Sequence, residues 1–169
     1  GESLDYIEKA LELGFTSVMY DGSRLSFEKN VENTLIAVKM ARKYGAGVEA
    51  EIGVMGSSLE STEGAKGEKG IYTDPAVAGK FVEMTKVDAL AASFGTVHGI
   101  YAEKPRLDFQ RIEDIKELTK TPLVMHGGSG LSREDYTTAI TKGIRKINYY
   151  TYMSREAVFA AKELINGQE

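Results

Sequence analysis

The chain has 169 residues, of which 42% are hydrophobic and 27% are charged, and its formal net charge is −4 at neutral pH. This size and composition predict one globular domain, and the slight acidity argues against a nucleic-acid partner, which favours a basic face. No apolar run approaches the roughly 18 residues of a membrane span, and the first residues do not resemble a signal peptide. Because the chain has no cysteine, disulfides and thiolate metal sites are excluded. A cytoplasmic location is the default expectation for a chain of this kind.

Helix and strand patterns alternate along the chain. In chain order they predict a helix over residues 3–13, a strand over 16–20, a helix over 27–44, a strand over 47–52, a helix over 74–85, a strand over 88–94, a helix over 108–119, a strand over 123–126, a helix over 132–142, a strand over 144–148 and a helix over 154–164. Five strands separated by helices predict an α/β fold with a parallel sheet, within a single domain over residues 1–169. Both a doubly wound sheet and a barrel fit this pattern.

Small and polar residues follow four of the five predicted strands. These endings are Asp21-Gly22-Ser23, the stretch 95–99, the stretch 126–130 and the stretch 148–151, whereas the strand over 47–52 carries Glu49 and Glu51 within it. Sites in α/β proteins are built at the carboxyl ends of strands. The clustering therefore predicts a functional site at that end of the sheet.

The chain has only two histidines, His98 and His126, and each stands at the carboxyl end of a predicted strand and precedes a glycine. A single histidine of this kind is more often structural than functional. Two in the same topological position favour a metal site, because neutral imidazole is a common zinc ligand. A catalytic zinc takes three protein ligands, so this pair is one ligand short unless a carboxylate completes it.

Strand alternation places Glu49 and Glu51 on one face of the strand over 47–52. Inside a barrel these charges need a cation or base to face them. The alternative is an edge strand with a solvated polar face. Asp21 has a similar alternative, as a turn residue that accepts backbone hydrogen bonds.

The turn from His126 to Gly130 leads directly into a predicted helix. Its backbone N–H groups can form an anion nest at the helix N-terminus, and the Ser129 hydroxyl can add a donor. The alternative is a tight turn without a ligand. The long polar loop over residues 53–70 favours a mobile lid or a disordered segment, and we expect residues 57–70 to be the least ordered part of the chain.

Ordered landmarks over nearly the whole chain resemble the metal-dependent class II fructose- and tagatose-bisphosphate aldolases. The landmarks are 14–19 with 21–23, 48–53, 72–75, 87–91, 95–99, 107–109, 126–130 and 146–148. The resemblance implies a partial (β/α)₈ TIM barrel of about five βα units. It also implies reversible cleavage of a ketose bisphosphate to dihydroxyacetone phosphate and glyceraldehyde phosphate, within carbohydrate metabolism such as glycolysis.

The resemblance also implies roles for individual residues. His98 and His126 match two of the family's three zinc ligands, and Asp21 and Glu51 match a second metal position. The positions matching the phosphate and substrate contacts are Gly99, Gly127, Ser129, Asn148 and Thr151. Main-chain oxygens of Gly99 and Ser129 would hold a monovalent cation, Na⁺ or K⁺. The expected partner is a phosphorylated ketose or triose, without membrane or nucleic acid, in a homo-oligomer of the full-length parent.

The chain also departs from the family pattern. The third zinc histidine and the catalytic aspartate of the family lie in a His-x-Asp-His motif, and the first residues here match the family just beyond it. Three strands, one ligand and the aspartate are thus expected to be missing. The family's loop glutamate, the acid/base, falls opposite Ser58 and Leu59, and Glu60 or Glu63 would replace it after a small shift. Tyr149 and Tyr150 stand where many members carry small or acidic residues.

Two other readings compete with a working metal-dependent aldolase. One is a catalytically inactive barrel fragment that keeps only phosphate binding. The other is a metal-free aldolase that uses a lysine Schiff base. Lys146 begins the last predicted strand, at the wrong end for a site, which argues against this second reading.

Overall fold

The computed structural model describes residues 2–53, 72–99 and 105–167. In that part of the chain the elements follow the order α1 (Leu4–Glu12), β1 (Ser17–Asp21), α2 (Phe27–Lys43), β2 (Gly47–Ile52), α3 (Pro75–Thr85), β3 (Ala89–Ala92), α4 (Phe109–Thr119), β4 (Leu123–Met125), α5 (Arg133–Lys142), β5 (Ile144–Ile147) and α6 (Thr151–Asn166). The predicted alternation of helices and strands is confirmed. The largest difference is α6, which begins at Thr151 rather than at Ser154 and has no side-chain cap to mark its start.

Polar side chains begin five of these helices. The capping side chains, each accepting a backbone N–H of the first turn, belong to Ser3, Ser26, Asp74, Asp108 and Ser132. Ser132 and Asp135 form a reciprocal capping box, and Pro75 occupies the first turn of α3. Each such cap stabilises its helix by about 1 kcal/mol. These local signals explain why most helix starts could be predicted from the sequence.

All five strands are parallel and lie side by side in chain order, β1-β2-β3-β4-β5. A doubly wound sheet reverses its order at a switch point, and the sheet described here does not. Nζ of Lys146 on β5 lies 2.6 Å from Oε2 of Glu49 on β2. Three strand spacings would separate these strands by about 14 Å in a flat sheet. The sheet is therefore strongly curved, which confirms the predicted partial (β/α)₈ barrel.

The apolar core lies between the convex side of the sheet and the helices. On β2 it receives Val48, Ala50 and Ile52, which alternate with the two glutamates. The helices contribute buried apolar residues that include Leu11, Val31, Phe81, Ile112 and Ile115. The packing directs the opposite, concave face of the sheet, with its polar residues, toward the barrel interior.

The end of the sheet at β5 is less covered than the centre. Two of the four residues of β5 are exposed, and α6 has no buried residue. Large apolar side chains on α6 are exposed, namely Met153, Val158, Phe159, Leu164 and Ile165. Among the described residues, no helix combines the length and apolarity needed to cross a membrane.

Candidate functional site

The strand register assembles the site on the concave face of the sheet. Neighbouring partners in register form one row across all five strands, Asp21, Glu51, Ala91, Val124 and Lys146. Glu49 lies two residues before Glu51 on the same face, and its partners in register are Met19 and Ala89. Partners in register on parallel strands point to the same face, so the carboxylates and the lysine share the barrel interior. The alanines of β3 leave room between them.

Both glutamates of β2 are buried, with exposed fractions of 5% for Glu49 and 2% for Glu51. β2 lies between β1 and β3. The alternative of a solvated edge strand is therefore wrong, because paired strands on both sides enclose this face. Buried carboxylates need partners, and His126 lies between them.

The ring of His126 contacts both glutamates. Its Nε2 forms a 2.9 Å hydrogen bond with Glu49 Oε1, and its Nδ1 lies 2.9 Å from Glu51 Oε2. The second contact is not aligned as a hydrogen bond, so the buried Glu51 Oε2 has no directed donor among the described residues. Burial alone would lower the pKa of His126, but the two glutamates outweigh it and raise that pKa to about 9. Without a metal, the ring is an imidazolium at neutral pH.

Lys146 is the second partner of Glu49. Burial opposes ionisation of Glu49, but the hydrogen bonds from His126 and Lys146 outweigh it and hold the pKa of this carboxyl below its ordinary value. The prediction that Lys146 lies at the wrong end of its strand is wrong, because Lys146 is the third residue of β5 and its side chain reaches the interior. The β4–β5 pairing shifts between Leu123 and Val124 and skips Arg145, so Lys146 faces inward although Ile144, two residues earlier, lies in the core. The curvature of the sheet then brings its side chain to β2.

The two histidines lie together, with ring centroids 5.7 Å apart and planes inclined by 36°. Two imidazoles bound to one tetrahedral zinc at roughly 2.0–2.1 Å place their centroids about 5 Å apart. The unsatisfied Glu51 Oε2 beside His126 Nδ1 also suits a cation. The residues present thus fit part of a metal site. Across residues 2–53, 72–99 and 105–167, no three histidine, aspartate or glutamate side chains form a group that could hold a metal ion.

Asp21 ends β1 and is half-buried. Its Oδ1 accepts hydrogen bonds from the backbone N–H of Ser23 at 3.0 Å and from the Ser23 hydroxyl at 2.7 Å. This is the turn arrangement considered as an alternative for Asp21. The register places it beside Glu51, and a second metal position at these two residues stays a prediction.

A pocket of about 270 Å³ lies beside His98 at the carboxyl end of the sheet. It is lined by His98, Gly99, Gly127, Ser129, Asn148, Tyr150 and Thr151. The structure thus brings together every residue predicted to contact substrate. A larger groove of about 780 Å³ between α3 and α4 contains none of the predicted site residues.

The glycine turn owes its shape to close backbone packing. Gly127 has φ +64°, and a Cβ there would lie 2.4 Å from the carbonyl oxygen of Val97. The Ser129 Oγ accepts the backbone N–H of Tyr150 at 3.1 Å, and the Tyr136 hydroxyl donates to the carbonyl of Gly128. The first bond joins the turn after β4 to the turn after β5, and the second ties the turn after β4 to α5. Among the described residues the Ser129 hydroxyl acts only as an acceptor, so its proton can be donated to a ligand.

Asn30 is a supporting residue that the sequence pattern did not single out. Its side-chain amide donates to the carbonyl of Glu51 at 2.9 Å and accepts from the Thr34 hydroxyl at 3.1 Å. Both side chains are buried within α2. The available signal was a pair of polar residues one helical turn apart on the apolar stripe of α2. They fix the end of β2, which carries Glu51.

Several predicted features lie outside the described residues. They are the candidate acid/base residues Glu60 and Glu63, the loop residues Ser58 and Leu59, and the whole of the predicted lid over 57–70. Their roles stay predictions.

Comparison with known proteins agrees with the family resemblance of the sequence, over the whole chain. The sequence model of the family described as "Fructose-bisphosphate aldolase class-II" matches residues 1–169. The chain is 40% identical to "Uncharacterized protein YdjI" of Escherichia coli K12 over 96% of this chain and 58% of that protein. It is also 40% identical to a fructose-bisphosphate aldolase of Geobacillus stearothermophilus, over 98% of this chain and 56% of the relative.

Solved structures agree with these matches. The crystal structure of the YdjI aldolase from Escherichia coli K12 superposes with a TM-score of 0.82 at 38% identity, covering 96% of this chain and 56% of the other. A putative fructose-bisphosphate aldolase from Coccidioides immitis gives a TM-score of 0.84 at 29% identity, covering 96% and 58%. The chain therefore spans a little over half the length of these relatives.

Proposed function

Because this chain belongs to the class II fructose-bisphosphate aldolase family, we propose that it supplies part of the active site of a zinc-dependent ketose-bisphosphate aldolase. The reaction is reversible cleavage of fructose-bisphosphate or tagatose-bisphosphate to dihydroxyacetone phosphate and glyceraldehyde phosphate. One observation carries the proposal. His98 and His126 lie with centroids 5.7 Å apart at the carboxyl end of the sheet, beside the pocket formed by the glycine turns.

In this proposal His98 and His126 would hold the zinc, and Asp21 and Glu51 would provide an alternative metal position. A bound zinc would supply Lewis-acid polarisation of the ketose carbonyl. The contribution of the chain is to orient the imidazole of His126. Glu49 fixes the ring through Nε2, which leaves Nδ1 as the nitrogen without an aligned hydrogen bond.

The glycine turns would bind the phosphate of the donor triose. Backbone N–H groups in the turn at 126–130 precede the N-terminus of α5, where the helix dipole favours an anion. The close packing of Gly127 against Val97 keeps this turn free of side chains. Gly99, Ser129 and Thr151 would complete this phosphate-binding site. Main-chain oxygens of Gly99 and Ser129 would hold a monovalent cation. A phosphate fixed in this way positions the reacting carbons.

The remaining roles concern the reacting end of the substrate. Asn148 lines the same pocket and would hold the substrate near its reacting carbons. Glu60 or Glu63 would move the proton, by general acid–base catalysis from the loop. The predicted cytoplasmic location and a homo-oligomer of the full-length parent belong to the same proposal.

We further propose that residues 1–169 form one incomplete barrel domain that does not turn over substrate alone. The described residues contain five strands of a fold that has eight. They provide only two of the three ligands that a catalytic zinc takes. The runner-up function, a fragment that only binds phosphate, is favoured by the absence of a complete metal group among the described residues.

The test is to purify residues 1–169, add zinc, and measure cleavage of both bisphosphates. We expect no turnover near the roughly 1–10³ s⁻¹ of ordinary enzymes. A longer protein with a His-x-Asp-His segment before Gly1 is expected to cleave one of the substrates and to lose activity to a chelator. Failure of that zinc-loaded longer protein to cleave either substrate would refute the aldolase proposal. Turnover by residues 1–169 alone would refute the incomplete-domain proposal.

Two further measurements separate the competing functions. Borohydride trapping with substrate tests for a Schiff base, and we expect no covalent adduct on Lys146. Titration with inorganic phosphate tests the phosphate-binding site separately from catalysis. Phosphate binding by residues 1–169, with no activity in the longer protein, would support the fragment that only binds phosphate.

A further inference from the structure

We propose that Lys146 is a positioning residue that orients His126 for metal binding through the carboxylate of Glu49. Lys146 Nζ lies 2.6 Å from Glu49 Oε2, and the other oxygen of that carboxylate, Oε1, accepts from His126 Nε2 at 2.9 Å. The three side chains form a chain of charged hydrogen bonds from β5 to β2 and back to the end of β4. The role of His126 rests on the proposed function, whereas the contacts do not.

The sheet makes this contact possible through its register and curvature. Lys146 shares a row with Val124, Ala91 and Glu51, and Ala89 stands beside Glu49 in the preceding row. The small side chains of β3 leave the interior open between β2 and β5. The extended side chain of Lys146 therefore spans the concave side of the curved sheet and reaches the carboxylate of Glu49, three strands away.

The chemistry explains why a lysine suits this position. Glu49 is 5% exposed, and a carboxylate buried to that degree needs more than one donor. Lys146 keeps its side chain 55% exposed, so its own charge remains partly solvated while its ammonium group binds Oε2. With Oε2 held, Oε1 is left to accept from His126. The carboxylate thus determines which ring nitrogen carries the hydrogen bond and which one faces Glu51.

Carboxylate partners of ligating histidines fix the tautomer and orientation of the ring. Here the bond to Glu49 keeps a proton on Nε2 in both the imidazolium and the neutral ring, so Nδ1, which faces Glu51 Oε2, is the nitrogen left to a metal. Removing the ammonium of Lys146 would free the carboxylate to rotate. The ring of His126 would then lose its fixed orientation even though neither residue of the pair had been changed.

The experiment uses nuclear magnetic resonance of the imidazole nitrogens in residues 1–169. The chain has only two histidines, so two ring systems appear, and His98→Gln leaves that of His126 alone. The variants are Lys146→Met, Lys146→Arg as a rescue, and Lys142→Met as a matched control. Lys142 forms a 2.9 Å ion pair with Glu113 outside the site. Zinc affinity is measured on the same proteins.

We expect wild type to show a hydrogen-bonded Nε2–H of His126 that exchanges slowly with water. Lys146→Met should accelerate that exchange, shift the ring nitrogen resonances and weaken zinc binding by roughly 10- to 100-fold, the range found for such supporting partners. Lys146→Arg should restore most of the ring signature and of the zinc affinity. Lys142→Met should change neither the ring signature nor the zinc affinity. Thermal unfolding of each variant identifies a global loss of structure, which would move the His98 resonances too.

Unchanged His126 resonances in Lys146→Met, or equal changes in Lys142→Met, would overturn the proposal. A wild-type ring without a hydrogen-bonded N–H would also overturn it, because the contact with Glu49 would then be absent. If Lys146→Met alters the ring but no variant binds zinc, the positioning role stands and the proposed metal-dependent function fails. The two failures are therefore distinguishable.

Discussion

Asp88, the residue immediately before β3, contacts two other elements through a single carboxylate. Its Oδ2 accepts the backbone N–H of Val48 on β2 at 2.8 Å, and its Oδ1 accepts from Arg42 on α2 at 2.9 Å. Burial opposes ionisation of Asp88, but the hydrogen bonds from Arg42 and Val48 outweigh it and lower the pKa of this carboxyl. The contact holds the amino end of β2, the strand that carries both glutamates of the site.

We predict that Asp88→Ala lowers the free energy of unfolding by about 1 kcal/mol, because a strand N–H loses its acceptor. Asp88 is 42% exposed, so its ion pair adds little beyond that bond. Since the folded pKa lies below the ordinary value of 3.8, the contribution is present above that value and is lost as the pH falls through the folded pKa. Urea unfolding measures both effects. The control is Glu32→Ala, which breaks an exposed ion pair with Lys29 and should change stability by less than about 0.5 kcal/mol.

The metal-free chain should lose stability as the pH rises toward 9. The folded pKa of His126, about 9, lies above its ordinary value of 6.5. Its protonated form is therefore favoured by folding, and the contribution is fully present below 6.5 and lost as the pH rises through the folded value. Urea unfolding with a chelator present measures the trend. His126→Gln should remove this alkaline decline, and a decline of equal size in that variant would contradict the assignment.

His98→Gln should weaken zinc binding by at least about tenfold, because the site would retain a single imidazole. His98 is exposed, so the variant should unfold like wild type. Competition with a chromophoric chelator gives the affinity. Gln110→Ala, which removes only an exposed hydrogen bond to Asp114, serves as control. Wild-type zinc affinity in His98→Gln would exclude His98 as a ligand.

Two glycines with nearly equal backbone geometry separate strain from crowding. Gly45 has φ +65° and open space where a Cβ would stand, whereas Gly127 has φ +64° and would place Cβ 2.4 Å from the Val97 oxygen. We predict that Gly45→Ala costs about 1–2 kcal/mol of stability, from the left-handed backbone alone. Gly127→Ala should cost more and should abolish binding of inorganic phosphate, measured by calorimetry. Equal costs in the two variants, with phosphate binding retained, would show that the turn tolerates a side chain.

Much of the fold could be predicted because its signals are local. The caps Ser3, Asp74 and Ser132 mark helix starts through bonds within one turn, and the alternation of β2 places Glu49 and Glu51 on one face without reference to any other strand. α6 was predicted to start too late because Tyr150, which precedes it, makes no capping bond that the sequence would reveal. The proximity of His98 and His126 followed from topology, since the carboxyl ends of parallel strands meet at one edge.

By itself, the sequence determined the alternating elements, the carboxyl-end cluster of histidines and glycines, and the resemblance to the aldolase family. Only the tertiary structure decided whether the glutamate face of β2 met solvent or the barrel interior, because that depends on β1 and β3 pairing on both sides of it. It also decided the role of Lys146, which the sequence placed at the wrong end of its strand. The reach from β5 to Glu49 depends on the curvature of the whole sheet, a property of strand packing that no local pattern of residues encodes.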